Sequence, residues 1–162
     1  RMQAEVYLSM HDFEKSKISG QKATSMNPND PRVISVFGEA LLRLNDIDKG
    51  LEYLEKAYEL DPIPQGQTTS DRRLAALFLG YFLKNDFMHC QKLNEDIVNI
   101  DIRTWLLNSF MCHKKEINYK EDSWFKAGVN QYQNSDWDME VDRFHLNDDS
   151  LKTRLIDFAK TI

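Results

Sequence analysis

Over residues 31–62 the apolar positions recur with the period of an α-helix, twice in succession. Val33, Val36, Phe37, Ala40, Leu41 and Leu44 fall three and four apart, and so do Ile47, Leu51, Leu54, Ala57, Tyr58 and Leu60. Asn45 and Asp46 interrupt the first stripe. Asp46 is placed to cap the second helix, and Pro62 stops it. Each helix carries an apolar stripe that it cannot bury alone. The pattern therefore predicts a helix pair stacked on further helices.

The same phrase stands 34 residues earlier. Asp12, Phe13, Ala23 and Pro28 precede Asp46, Ile47, Ala57 and Pro62 at that interval, as Ala4 and Tyr7 precede Gly38 and Leu41. Small residues recur where two helices must approach: Ala4, Ser16 and Ala23, then Gly38, Gly50 and Ala57. The polar stretch 63–70 predicts a loop, with Ser70 or Asp71 capping the next helix. Residues 71–101 repeat the two-helix scheme in degenerate form. Leu74, Leu77, Phe78 and Tyr81 stripe the first helix, Asn85, Asp86 and Phe87 echo the earlier turn, and Cys90 takes the small place. Phe78 stands where a small residue is expected.

A fourth pair is predicted within 102–134, as helices over 103–113 and 121–132. Trp124, Phe125, Val129 and Tyr132 share a face of the second. Residues 135–149 read as non-helical. Asn147 or Asp148 then caps a last helix over 150–160, with Leu151, Leu155, Ile156 and Phe158 inward. A stacked array needs an atypical end to cover its last open face, and this helix suits that role.

The 34-residue period, with Gly38, Leu41, Gly50, Ala57 and Pro62 in place, resembles the tetratricopeptide repeat. Ile34 stands where that repeat usually has tryptophan; in the fourth unit Trp105 and Ser109 match the tryptophan and small places. The resemblance implies an all-α, right-handed α-α superhelix of three to four helix pairs with a C-terminal capping helix. It divides the chain into a truncated unit (1–30), a full unit (31–62), two degenerate units (71–101 and 102–134) and an ending (135–162). Residues 143–148, with Leu151, Arg154, Leu155, Phe158 and Lys160, are also similar to the ending of bacterial regulators built on such arrays. Those regulators are winged-helix transcriptional activators and class III adenylate cyclases. That likeness implies a regulatory module cut from a longer protein.

Composition narrows the function. In 162 residues the formal net charge is -5, and no basic run is interleaved with aromatics, which argues against a nucleic-acid surface. The longest apolar run, residues 74–83, is far shorter than the roughly 20 residues of a membrane span. The chain is expected to be cytoplasmic unless a membrane segment lies upstream. No phosphate loop, serine elbow, paired-carboxylate motif or zinc-protease motif occurs, so neither catalysis nor a cofactor is expected.

The resemblance implies that the first helix of each unit lines a concave groove. The groove-facing places are Arg32, Ser35, Glu39, Leu42 and Arg43, then Arg72, Ala75, Leu79 and Phe82, then Arg103, Leu106 and Phe110. Arginine recurs near the start of three successive first helices. Its planar donor fork suits carboxylates, and Leu79, Phe82 and Phe110 would add apolar area. The expected partner is an acidic, partly apolar protein or peptide; the competing reading is that these arginines are ordinary solvated helix starts.

Two further stretches invite a site. In 135–142 acids alternate with Trp137, Met139 and Val141, which predicts an extended segment. It either packs on its own helices or mimics a ligand and gates the groove. His89 and Cys90 with Cys112 and His113 allow three readings: buried thiols, a Cys90–Cys112 disulfide, or a zinc site. Neighbours on a helix diverge by about 100°, which disfavours the metal. A small-ligand pocket near Phe78 and Trp105 is a third functional reading. Trp124 or Phe125, if exposed, would favour a homodimer.

Overall fold

The computed structural model describes residues 1–62, 68–97 and 100–162, with side chains in the fifth helix from Arg72 onward. Those residues form ten helices and no strand. In chain order they are α1 (Met2–Ser9), α2 (Phe13–Met26), α3 (Pro31–Arg43), α4 (Ile47–Leu60) and α5 (Thr68–Leu83). Then follow α6 (Phe87–Asp96), α7 (Ile102–Lys114), α8 (Ser123–Tyr132), α9 (Trp137–Asp142) and α10 (Asp149–Ala159). The first eight pair in sequence and each pair packs on the next, giving an all-α helical-repeat superhelix.

Aspartates start most helices. Asp12, Asp30, Asp86, Asp101, Asp136 and Asp148 each accept a backbone N–H from the first turn. Asp46 sits at the expected cap but makes no such bond; its carboxylate lies 4.0 Å from the Lys49 ammonium. The first helix of each pair ends on a left-handed residue: His11, Asn45, Asn85 and Glu116. The next backbone N–H groups fold back onto the last carbonyls, as Asp46 N does on Leu41 O at 2.9 Å and Asp86 N on Tyr81 O at 2.9 Å. Of the expected loop at 63–70, residues 63–67 lie outside the described residues and 68–70 are helical. Because α5 begins at Thr68, Ser70 and Asp71 fall inside its first turn rather than ahead of it.

The small residues do the work their spacing predicts. A Cβ on Gly38 would stand 2.9 Å from the Gly50 carbonyl oxygen, and a Cβ on Gly50 would stand 2.9 Å from that of Gly38. One pair earlier, the Ser16 hydroxyl donates to the Ala4 carbonyl at 2.9 Å. One pair later, the Cys90 thiol approaches the Phe78 carbonyl at 3.8 Å. The same crossing thus recurs three times, with a backbone carbonyl of the first helix meeting a small residue of the second. The α7/α8 crossing is different. The Trp105 indole fills it, lying so close to Gly128 that a Cβ there would overlap the ring.

Within the alternating stretch 135–142, Trp137–Asp142 is helical, which corrects the extended expectation. Asp136 caps α9, and Trp137 and Val141 turn inward one turn apart while Met139 stays exposed. The i, i+4 pair and the cap outweigh the alternation. Asp148, not Asn147, caps α10.

Candidate functional site

The concave face is lined by α1, α3, α5 and α7, and the C-terminal segment divides it. After α9 the chain crosses back over α3. The Arg43 guanidinium donates to the Phe144 carbonyl, and the Asn147 amide donates to the Arg43 carbonyl at 2.9 Å. His145 packs against His11 in the first turn, with ring centroids 3.8 Å apart and the rings tilted by 33°, and Phe13 lies edge-on to both rings. Then α10 returns to α7, where Phe158 meets Phe110 at 5.5 Å. On α9, Trp137 stacks over Trp105 at 6.2 Å.

This covering, with the packing between repeats, closes the apolar part of the expected groove. Leu42, Leu79, Phe82 and Phe110 are 2%, 1%, 9% and 7% exposed, and Ala75 and Leu106 are buried too. Leu42 points into the junction of three helices, where its methyls would meet a Cβ on Gly50 or Gly80. Phe110 is covered by α10. Glu39 and Arg43 are also buried and paired at 3.3 Å. Leu42, Arg43, Ala75, Leu79, Phe82, Leu106 and Phe110 are therefore corrected as open groove positions, and Glu39 reaches the open face only at its edge.

What stays open is the other end of the face. A cavity of about 840 Å³ lies between α1, α3 and α5. One wall is the stripe Met2, Val6 and Met10, which is 73%, 53% and 69% exposed. Val36 and Ala76 form the floor. Arg32 and Arg72, both exposed, stand along it, with Glu39 at its edge. Arg73 also borders it but is held by Asp61 at 2.8 Å. The sequence reading missed the methionine stripe, whose signal was the spacing of four along α1, opposite Ala4 and Leu8.

Charge is unbalanced beside this cavity. Burial, then the nearby Arg103, lowers the Arg43 pKa to about 10, against the pull of Glu39; Arg72 lowers it further. Two guanidiniums thus share the Glu39 carboxylate, Arg43 at 3.3 Å and Arg72 at 3.8 Å. Among the described residues neither Arg32 nor Arg103 has a carboxylate within 4.0 Å. Arg32 and Arg72 line the open cavity together, whereas Arg103 does not.

The other candidates resolve geometrically. Cys90 and Cys112 are free and buried, and burial pushes their thiols up to about 12 and about 11. His89 turns out to Asp86 at 2.7 Å and stacks on Tyr81, while His113 lies against Phe158. The two histidines therefore serve different surroundings. Phe78 and Trp105 are both fully buried, so the pocket expected beside them is filled by side chains. Phe125 is buried and Trp124 half-buried, which leaves no exposed aromatic pair for self-association.

The architecture is that of a helical-repeat array with an open concave surface. Within it, residues 32–64 match the family model described as Tetratricopeptide repeat. No curated protein matches the chain. Repeats of this family generally mediate protein–protein interaction and are typically non-catalytic. Among the described residues no helix is long and apolar enough to cross a membrane.

Proposed function

We propose that this chain is a non-catalytic module that binds an acidic, partly apolar protein segment in the open part of its concave face. The observation that carries the reading is the cavity between α1, α3 and α5. It joins an exposed Met2–Val6–Met10 wall to two arginines, Arg32 and Arg72, on one surface. Methionine walls adapt to the shape of an apolar partner. Arginines at the rim select carboxylates and steer their approach. The module serves a larger signalling or transcription-regulatory protein of the bacterial kind; the support is the likeness of its ending, residues 143–160, to such regulators. A nucleotide cyclase is the alternative parent on the same likeness.

The test is a fluorescence-anisotropy titration with acidic-apolar peptides chosen from a displayed library. Binding should weaken at least tenfold in the Arg32→Glu, Arg72→Glu double variant and weaken with salt. Equal affinity for the double variant and the parent chain would remove the arginines from the site and the reading with them.

A further inference from the structure

A second hollow lies on the far side of the C-terminal segment, separate from the open cavity. It has a volume of about 420 Å³ and sits where the α3–α4 and α5–α6 turns, the end of α7 and the start of α10 converge. That volume falls within the range of about 300–1,000 Å³ usual for small-molecule sites. The walls are apolar: Phe82 and Leu83 from α5, Phe110 and Met111 from α7, Leu151 from α10.

The mouth is cationic. Lys114 and Lys115 stand on one side and Arg154 faces them from α10. Among the described residues none of the three has a carboxylate within 4.0 Å, although thirteen ion pairs form elsewhere. Lys114 sits 5.8 Å over the Phe110 ring, which places its ammonium between wall and solvent. The acids nearby are engaged. Asp148 caps α10 at 2.9 Å, and Asp48 is paired with Lys84 at 2.6 Å. Carbonyls at the ends of α3, α5 and α7 are covered by the N–H groups of Asn45, Asn85 and Glu116. An anion entering here therefore meets three cations that have no carboxylate partner among the described residues, beside the Asn45 and Asn85 amides.

We infer that this hollow is a site for a small organic anion with an apolar body, of the fatty-carboxylate type. The chain enters between Phe82, Phe110 and Leu151, and the carboxylate stays at the mouth with Lys114, Lys115 and Arg154. Apolar burial supplies affinity, and the cations fix orientation and favour the anion over neutral or cationic analogues. This goes beyond the peptide-binding reading and uses none of its residues.

Octanoate, octan-1-ol and octylamine are the probes, each added to the whole chain below its aggregation limit. Binding is read by calorimetry and by amide chemical shifts. Octanoate should bind and move amides around residues 82–85, 110–115 and 148–154. Lys114→Gln with Arg154→Gln should weaken it at least tenfold and leave octan-1-ol unchanged. Arg32→Glu with Arg72→Glu should not alter octanoate binding, which keeps this test apart from the groove's. Equal binding of octanoate and octan-1-ol, shifts confined to residues 2–10, or no octanoate binding at millimolar concentration would each overturn the assignment.

Discussion

The α3/α4 and α7/α8 crossings solve one packing problem in opposite ways. In the first, two glycines let backbones meet, and each would place a Cβ 2.9 Å from the other's carbonyl oxygen. In the second, a single indole spans the gap. Trp105 packs on Phe125, Tyr132 and Trp137, and its N–H donates to the Phe125 carbonyl at 3.3 Å. The glycine crossing is local and repeats along the chain. The tryptophan crossing gathers side chains from three helices, and so couples the last pair to the ending.

The largest expected effect comes from the side-chain crossing. Trp105→Ala should cost about 4 kcal/mol in chemical denaturation and should loosen α9 as well as α8. A loss under about 1 kcal/mol would mean that the indole is not the keystone. Next, Gly38→Ala should cost roughly 2 kcal/mol, because the new methyl presses on a backbone oxygen that has no rotamer to change. Arg43→Ala should cost about 2 kcal/mol and raise hydrogen exchange at residues 144–147, since it removes the donor to Phe144 while Glu39 keeps Arg72 nearby. Ser16→Ala, which removes a single buried hydrogen bond to Ala4, should cost about 1 kcal/mol.

The smallest effect is a pH dependence. Burial, then His11, Arg43 and Lys152, depress the pKa of His145 below its ordinary 6.5, with Asp142 pulling the other way. The docked ending therefore binds a proton less readily than the unfolded chain. Stability is complete above pH 6.5 and declines as pH falls below it. His145→Asn, which suits the left-handed backbone at that position, should flatten this slope in thermal melts. An unchanged slope would place the titration elsewhere.

Much of this fold was legible because it is local. The helix stripes, the Asp148 cap and the 34-residue spacing of Ala4, Gly38, Ser16 and Gly50 all rest on short windows. The α9 helix was misread because six residues carry too little periodicity to outweigh an acid at every second place. The concave face was legible at Arg32 and Arg72 but not at Leu42, Leu79 or Phe110. A stripe does not show that Leu42 turns into the junction with α4 and α5, nor that a later segment will lie across a residue, as α10 does across Phe110. Asn147 on Arg43 is a contact of that kind.

The contact of His145 with His11 ties the first turn to the segment between α9 and α10. An open row of repeats can fray from either end, each unit answering only to its neighbour. Here the first turn rests on the segment that follows α9, so fraying of the first pair should disturb that segment as well. Such a ring of dependencies turns a modular chain into an all-or-none one, and trimming the last helix should soften the first.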